Sequence, residues 1–359
     1  MKFINIVHEK NIAKLKVFNK TLIRKEKFIS SQHYFILRFR VAKKIIRPDY
    51  INTYIIGFKI HEKKIDVIKK ILPYAKNKDF IYFCMHSGEF YYLCNIIKIH
   101  FEEFKDTVII TNFGYNRQVF ELLDFEKQWL DEHFIVVPQL WLFSLGVWCK
   151  ADGTLLSKVE LSHEKGWIVN GKLQKKGKNY FSVAECISHF LLKKKFVHNI
   201  KLPTNVTKEK SVLLIPESQF NGNLSVDFCK ELCRCLCEQG YKIYLNTKGT
   251  AYDQLLDFQV EKVFASYKET FELAAKCSAL ISVRCGLVEN LQKLSDSKLR
   301  FFIIYNKIFY PHYTYFKNFH KWFLQVYSLN HINFSTSFDE FADWKNENTI
   351  TDQILEVLK

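Results

Sequence analysis

DFIYFCMHSGEFYYLCNIIKIHFEEF, residues 79–104, decides how the chain is read. Its opening run, Phe80-Ile81-Tyr82-Phe83, is short, apolar and rich in aromatic and β-branched residues, as a strand buried on both faces is. Its second part, residues 90–104, spaces apolar side chains as an amphipathic helix does. Between them lie His86, Ser87, Gly88 and Glu89. A polar loop that ends a buried strand and opens a helix is where open α/β sheets place ligands and catalytic groups. Glu89, in the first helical turn, is the candidate general base. The helix dipole favours a carboxylate there in any case and weakens it as a base. His86, three residues upstream with an ordinary pKa near ~6.5, is the alternative base.

The same alternation continues on both sides. DTVIITN (106–112) and HFIVVP (133–138) read as strands around the helix NRQVFELLDF (116–125). A lysine-rich polar segment, GKLQKKGKNY (171–180), precedes the helix FSVAECISHFLLKK (181–194). The Pro203-containing spacer IKLPTNVTKEK (200–210) reads as a linker. Beyond it the alternation restarts. SVLLIPES (211–218), KIYLNT (242–247), ALISVRC (279–285) and LRFFIIYN (299–306) are strands, with helices at 224–241, 267–278 and 286–295. Gly240 is placed to close the first of these helices. Two βαβ runs predict two mostly parallel sheets with ligands at the strand C-terminal ends. The expected organisation is a basic, mostly helical N-terminal extension (1–70), a Rossmann-like unit (71–203), a second such unit (204–335) and a helical tail (336–359), the two units facing a cleft.

With 359 residues, two domains are the natural expectation, and 48% hydrophobic with 25% charged residues are globular values. Lys and Arg number 53 against 37 Asp and Glu, a net charge of +16 that points to an anionic partner or surface. No run reaches the ~18 apolar residues of a membrane span; the longest, FIVVPQLWLFSLGVW (134–148), is broken by Pro138 and Gln139. The start, MKFINIVHEKNIAKLK, lacks a signal-peptide core. Ten cysteines without such a signal imply a reducing compartment and a cytoplasmic location. Four of them crowd FCKELCRCLC (228–237), where Cys229, Cys233 and Cys237 share a helix face. Without zinc-like spacing they read as core residues, and no metal site is expected. GxGxxG and P-loop fingerprints are absent, which argues against a dehydrogenase or a P-loop enzyme.

Two short loops carry a resemblance to the ADP-heptose transferase family and related bacterial surface-polysaccharide transferases of the GT-B class. HSGE (86–89) matches the family's small-Gly-acidic first loop, with Glu89 in place of the usual Asp. RCGLVE (284–289) matches the late acidic-small-Gly loop that opens a helix, but with Arg284 in the acidic position and Glu289 as the polar residue three on from Gly286. The resemblance spans residues 75–305. It implies an N-terminal acceptor domain, a C-terminal nucleotide-sugar domain, an inverting glycosyl transfer without metal or other cofactor, and a glycan or lipid-linked acceptor. In PESQFNGN (216–223), which lies where the family contacts donor phosphates, Ser218, Gln219 and Asn221 are candidate donor contacts, though such residues also make turns. Lys248 and Thr250, in LNTKGTAYD (245–253), are further candidates.

The chemistry agrees. Glycosyl transfer from a nucleotide sugar needs a base for the acceptor hydroxyl and positive charge for the departing diphosphate. No Asp-x-Asp motif offers a metal for that charge, so Arg284 is the candidate phosphate partner, with Gly286 beside it. The other reading of Arg284 is a structural arginine paired to a nearby acid. The basic stretches KLKVFNKTLIRKEKF (14–28) and FRVAKKIIR (39–47) suit peripheral contact with an anionic membrane, or simply a solvated face. Two other functions stay open. FILRFRVAKKIIR (35–47) and YFKNFHKWF (315–323) interleave aromatic and basic residues as single-strand nucleic-acid binders do, but no nucleic-acid motif accompanies them and no nucleic acid is expected as partner. A GT-B-shaped epimerase acting on nucleotide sugars is the second.

Overall fold

The computed structural model describes strand backbones between residues 4 and 64, then residues 66–140, 145–162, 166–176, 179–180, 182–197, 199–203, 206–218, 222–305, 338–342 and 347–359. The first block corrects the helical expectation for the N-terminal extension. It forms seven strands, β1 (Ile4–Glu9), β2 (Ile12–Val17), β3 (Lys20–Lys27), β4 (Ser31–Ile36), β5 (Phe39–Ile46), β6 (Tyr50–Ile55) and β7 (Phe58–Lys64), paired in sequence order. Every neighbouring pair is antiparallel. Stretches such as Ala13-Lys14-Leu15-Lys16-Val17 alternate apolar and polar residues. Dense Ile, Val, Thr, Phe and Tyr then favour the pleated form over the helix that the same spacing allows.

The first α/β unit is built on a seven-stranded sheet. Its elements are α1 (Val67–Ile71), β8 (Phe80–Cys84), α2 (Ser87–Ile99), α3 (Phe101–Phe104), β9 (Val108–Thr111), α4 (Arg117–Leu122), α5 (Lys127–His133), β10 (Phe134–Val136), β11 (Leu145–Cys149), β12 (Leu155–Ser162), β13 (Gly166–Val169) and β14 (Lys172–Leu173). A two-residue pair, β15 (Lys175–Lys176) and β16 (Asn179–Tyr180), and α6 (Val183–Phe190) follow. The strand order is β10-β9-β8-β11-β12-β13-β14. Only β8, β9 and β10 are parallel, and β11 returns antiparallel beside β8, with Leu145 opposite Cys84. The sheet is therefore half meander where a mostly parallel one was expected. Pro138 and the short connection to β11 leave no room for the crossover helix that a fourth parallel strand requires.

The second unit is the parallel sheet expected. It comprises β17 (Ser211–Ile215), α7 (Val226–Glu238), β18 (Lys242–Asn246), β19 (Val260–Val263), α8 (Tyr267–Lys276), β20 (Ala279–Val283), α9 (Gly286–Leu291), β21 (Arg300–Tyr305), β22 (Phe338–Ala342) and α10 (Glu347–Leu358). The order is β19-β18-β17-β20-β21-β22, every pair parallel. The tail is thus a strand plus a helix: the strand is the last of this sheet and the helix packs on α7. Serine caps fix three helix starts: Ser225 for α7, and capping boxes of Ser182 with Glu185 for α6 and Ser266 with Glu269 for α8. Gly240, at φ +77°, closes α7.

Alternation along the strands sorts the core into layers. In the second sheet Val212, Leu214, Ile281 and Ile304 face α7 and α10, where Cys229 and Cys233 are buried core residues. Leu213, Ile215, Leu280 and Ile303 face α8 and α9. In the first sheet Phe80, Tyr82 and Cys84 face α1, while Ile81 and Phe83 face α2, α4 and α6. The inner helices then pack on one another, α2 on α9 and α4 on α8, so one continuous apolar cluster spans both units.

Candidate active site

Both quoted loops lie at the point where their sheet reverses strand order. In the second unit β17 is flanked by β18 on one side and β20 on the other. In the first, β8 is flanked by β9 and β11. A crevice opens at such a point because successive connections depart in opposite directions. The loop after β8 carries His86–Glu89, and the loop after β20 carries Arg284–Gly286.

The two loops meet directly. A methyl group at Gly286 would collide with the Ser87 hydroxyl and lie 2.9 Å from the Gly88 amide nitrogen. One at Gly88 would lie 3.0 Å from the Glu289 carboxyl carbon. The expected facing of the two loops across a cleft is thus a contact, made by two glycines that let backbone approach backbone. Around it the Ser87 hydroxyl hydrogen-bonds Tyr267, the first residue of α8. Gln292 donates to the Tyr92 hydroxyl at 3.1 Å and to the Glu289 carbonyl at 2.8 Å.

Three charged side chains are buried in this contact: Glu89 and Arg284, each 8% exposed, and Glu289, 0% exposed. Arg284 Nη2 lies 2.7 Å from Glu289 Oε1. Arg284 is not in hydrogen-bond alignment with either Glu289 oxygen, so the contact is an ion pair of imperfect geometry. Glu89 is anchored differently, for its carboxylate accepts the amides of His86 and of Glu89 itself. This is the back-reaching half of a capping box, with His86 as N-cap and Glu89 at N3.

Burial dominates the acid–base properties. It raises the Glu89 carboxyl above the usual range, outweighing Arg284 and the two amides that pull it down. It raises Glu289 to about 7, with Arg284 pulling down and Glu89 pushing up. It lowers His86 to about 4, helped by Arg284. Desolvation penalises every charged form, so the helix start does not make Glu89 a weaker base than an ordinary glutamate, as the dipole alone would. His86 stacks on Phe113 at 5.8 Å, and Phe113 on Tyr115 at 5.1 Å.

Of the residues singled out from the sequence, His86, Glu89, Arg284, Gly286 and Glu289 converge here. Arg284 does pair with a nearby acid, as its structural reading held. Ser218 sits just past β17, its amide donating to Asn223 Oδ1 at 3.2 Å. Gln219 and Asn221 lie outside the described residues. Lys248 and Thr250 are exposed on the loop after β18. There Lys248 Nζ lies 5.6 Å from the Phe264 ring centre, and the Thr250 carbonyl accepts the Asp253 amide at 3.1 Å. These residues share the C-terminal edge of the second sheet with Arg284 but do not join its cluster. Sequence reading missed Glu217, whose carboxylate accepts the Thr247 hydroxyl and so ties the loops after β17 and β18 together. Its signal was an acid directly after a strand, passed over for its polar neighbours. It also missed Tyr267, which left no signal because its partner lies in the other unit. Among the described residues, no group of three or more His, Cys, Asp or Glu could hold a metal ion.

No protein-family model matches the sequence, and no curated protein matches it. Solved structures do. Escherichia coli ADP-heptose lipopolysaccharide heptosyltransferase II is 9% identical with a TM-score of 0.44, over 77% of this chain and 98% of that one. E. coli heptosyltransferase WaaC with ADP is 10% identical with a TM-score of 0.41, over 77% and 97%. A family 9 glycosyl transferase from Veillonella parvula is 8% identical with a TM-score of 0.39, over 79% and 92%. The strand orders and the meeting of the two reversal-point loops stand independently of these likenesses, and they make the architecture GT-B-like: two Rossmann-like units joined at the ends of their strands.

Proposed function

We propose that the chain is a glycosyltransferase that moves a sugar from a nucleotide-sugar donor to a glycan or lipid-linked acceptor. One observation carries this reading: the reversal-point loops of two α/β units bring a guanidinium and two buried carboxylates into one cluster. In this reading Arg284 binds the donor diphosphate and steadies it as it leaves, worth more in a dry site than in water. Glu89 takes the acceptor hydroxyl proton as that oxygen attacks the anomeric carbon, with inversion. Its raised proton affinity makes it a stronger base than an ordinary glutamate. Basic side chains supply the charge that a metal would otherwise supply, with no other cofactor.

The second unit holds the donor and the first the acceptor. The net charge of +16 supports an acceptor carried on an anionic membrane, such as a lipid-linked intermediate of capsule or lipopolysaccharide assembly at the cytoplasmic face. No helix among the described residues is long and apolar enough to cross a membrane.

The test is a panel of nucleotides and nucleotide sugars screened by thermal shift, then turnover of the best donor with and without glycan acceptors. A ligand at ~100 times its Kd adds about 2.7 kcal/mol of apparent stability. A stabilising nucleotide sugar whose transfer needs an added acceptor supports the reading. Donor consumed by isomerisation alone, or no stabilisation by any member of the panel, overturns it.

A further inference from the structure

Glu289 has no part in the transfer just described, yet it is the most deeply buried charge in the cluster. Its side chain lies against Gly88 of the opposite unit, and Arg284 Nη2 is its cation. Two carboxylates and one guanidinium in a dry contact cannot all be charged at low cost, because each uncompensated buried charge is penalised by desolvation. Arg284 offsets only one of the two anions, so these carboxyls bind a proton more readily than isolated glutamates do, and the one that depends on Arg284 binds it when the guanidinium leaves. Glu89 accepts two backbone amides that favour its anion, those of His86 and of Glu89 itself, whereas Glu289 accepts only its own and otherwise relies on Arg284.

On the reading of Arg284 as the donor's phosphate partner, we infer that Glu289 is a positioning residue that holds the guanidinium in the empty site and takes up a proton when the diphosphate draws it away. In that step the Arg284 N–H groups pass from the Glu289 carboxylate to phosphate oxygens. A solvent proton forms an O–H bond on the carboxylate left behind, so no uncompensated anion stays buried. Donor binding is therefore coupled to uptake of one proton and weakens as pH rises.

Among the groups around Glu289 the only other carboxyl that burial raises is Glu89, and Glu89 keeps two amides that favour its anion when Arg284 moves. From α2 it faces Glu89 and Tyr92, from α8 Tyr267, and from its own loop Arg284 and Cys285. Burial raises Tyr92 and Cys285, and Tyr267 reaches about 12, so these stay neutral up to pH 8. His86, beside Arg284, is lowered to about 4 and is neutral above pH 6. Glu289, raised to about 7, changes charge in the working range.

The experiment is calorimetric titration of the full chain with a nucleotide sugar in pairs of buffers with different ionisation heats, at pH 6, 7 and 8. A nucleotide sugar is used because a free terminal phosphate titrates in this range itself. Uptake should approach about one proton at pH 8 and fall toward zero at pH 6, with Kd weakening ~10-fold per pH unit above 7. Glu289→Gln should bind without uptake and with a flat pH profile, while Glu89→Gln retains the uptake. Binding without proton uptake in the wild type overturns the inference while leaving the transferase reading intact, as does uptake that persists in Glu289→Gln. Absence of nucleotide-sugar binding overturns both. Should Glu289→Gln not fold, the wild type and Glu89→Gln decide, and loss of uptake in Glu89→Gln counts against Glu289.

Discussion

Replacing Gly286 with Ala tests whether the two units touch where the site is built. A β-carbon at residue 286 would lie 2.9 Å from the Gly88 nitrogen and against the Ser87 hydroxyl. The hydroxyl can rotate, but it is tied to Tyr267, and the amide nitrogen belongs to the first turn of α2. Relief therefore requires α2 and α9 to separate by several tenths of an ångström, and both are embedded in the shared apolar cluster. Overpacking of this kind costs typically ~1–3 kcal/mol. Alanine's better helix propensity returns only ~0.5–1 kcal/mol at most.

Gly114→Ala is the control, because a β-carbon there meets nothing within 4 Å. Urea unfolding should show Gly286→Ala destabilised by about 1–2 kcal/mol and Gly114→Ala unchanged or slightly more stable. On the proposed reading, loosening of this contact should also reduce glycosyl transfer, since about 1 Å of misplacement can cost ~10²-fold. Gly286→Ala as stable as Gly114→Ala would refute the direct contact of the loops, and with it the site as drawn.

Three further outcomes follow from the same cluster. Arg284→Ala should weaken nucleotide-sugar binding by about 1.5–3 kcal/mol, the range for a hydrogen bond to a charged group; unchanged affinity in a folded variant removes Arg284 from the donor site. Glu89→Gln, which keeps the back-reaching cap, should cut turnover ~10²–10⁴-fold with donor binding intact, and His86→Ala should cost less; the reverse order makes His86 the base. In stability against pH, Glu289 binds protons more tightly folded than unfolded, so its contribution falls as pH rises from about 4.5 to about 7. His86 binds them less tightly folded, so its contribution is lost as pH falls from 6.5 through about 4. Relative to wild type, Glu289→Gln should tilt the denaturation curve upward with pH and His86→Ala downward; parallel curves would mean that neither group is buried as described.

The second unit was legible because its central strands are buried apolar runs and Gly240 closes its first helix, whereas the half-exposed β19 was not found. The strand at Phe80–Cys84 and the turn into α2 were legible for the same reason. The N-terminal block was not, since its spacing suits a helix and a strand alike, and pairing with neighbours decides between them. Nor was the antiparallel return of β11, which depends on a connection too short for a crossover. At the site, local pattern found His86, Glu89, Arg284, Gly286 and Glu289, each in a strand-to-helix turn or the first turns of the helix it opens. It could not find that Glu289 lies against Gly88, or that Ser87 reaches Tyr267. Such contacts join residues some 180–200 positions apart and leave no periodicity.

The burial of these charges is not explained by stability. The apolar cluster already joins the units, for each fully buried Leu, Ile or Phe side chain contributes ~1.5–3 kcal/mol, and many line the α2–α9 and α4–α8 contacts. A buried ion pair is commonly neutral or worse than an apolar pair of equal volume. This one is further handicapped, with an imperfectly aligned contact and a second carboxylate beside it. Hydrophobic residues at 89, 284 and 289 would hold the units together at least as well. What they could not do, on the proposed reading, is offer a guanidinium to a diphosphate and leave behind a carboxyl that takes up a proton near neutral pH. On that reading the polar cluster has a physical rationale as a phosphate-binding site, and little as a clamp.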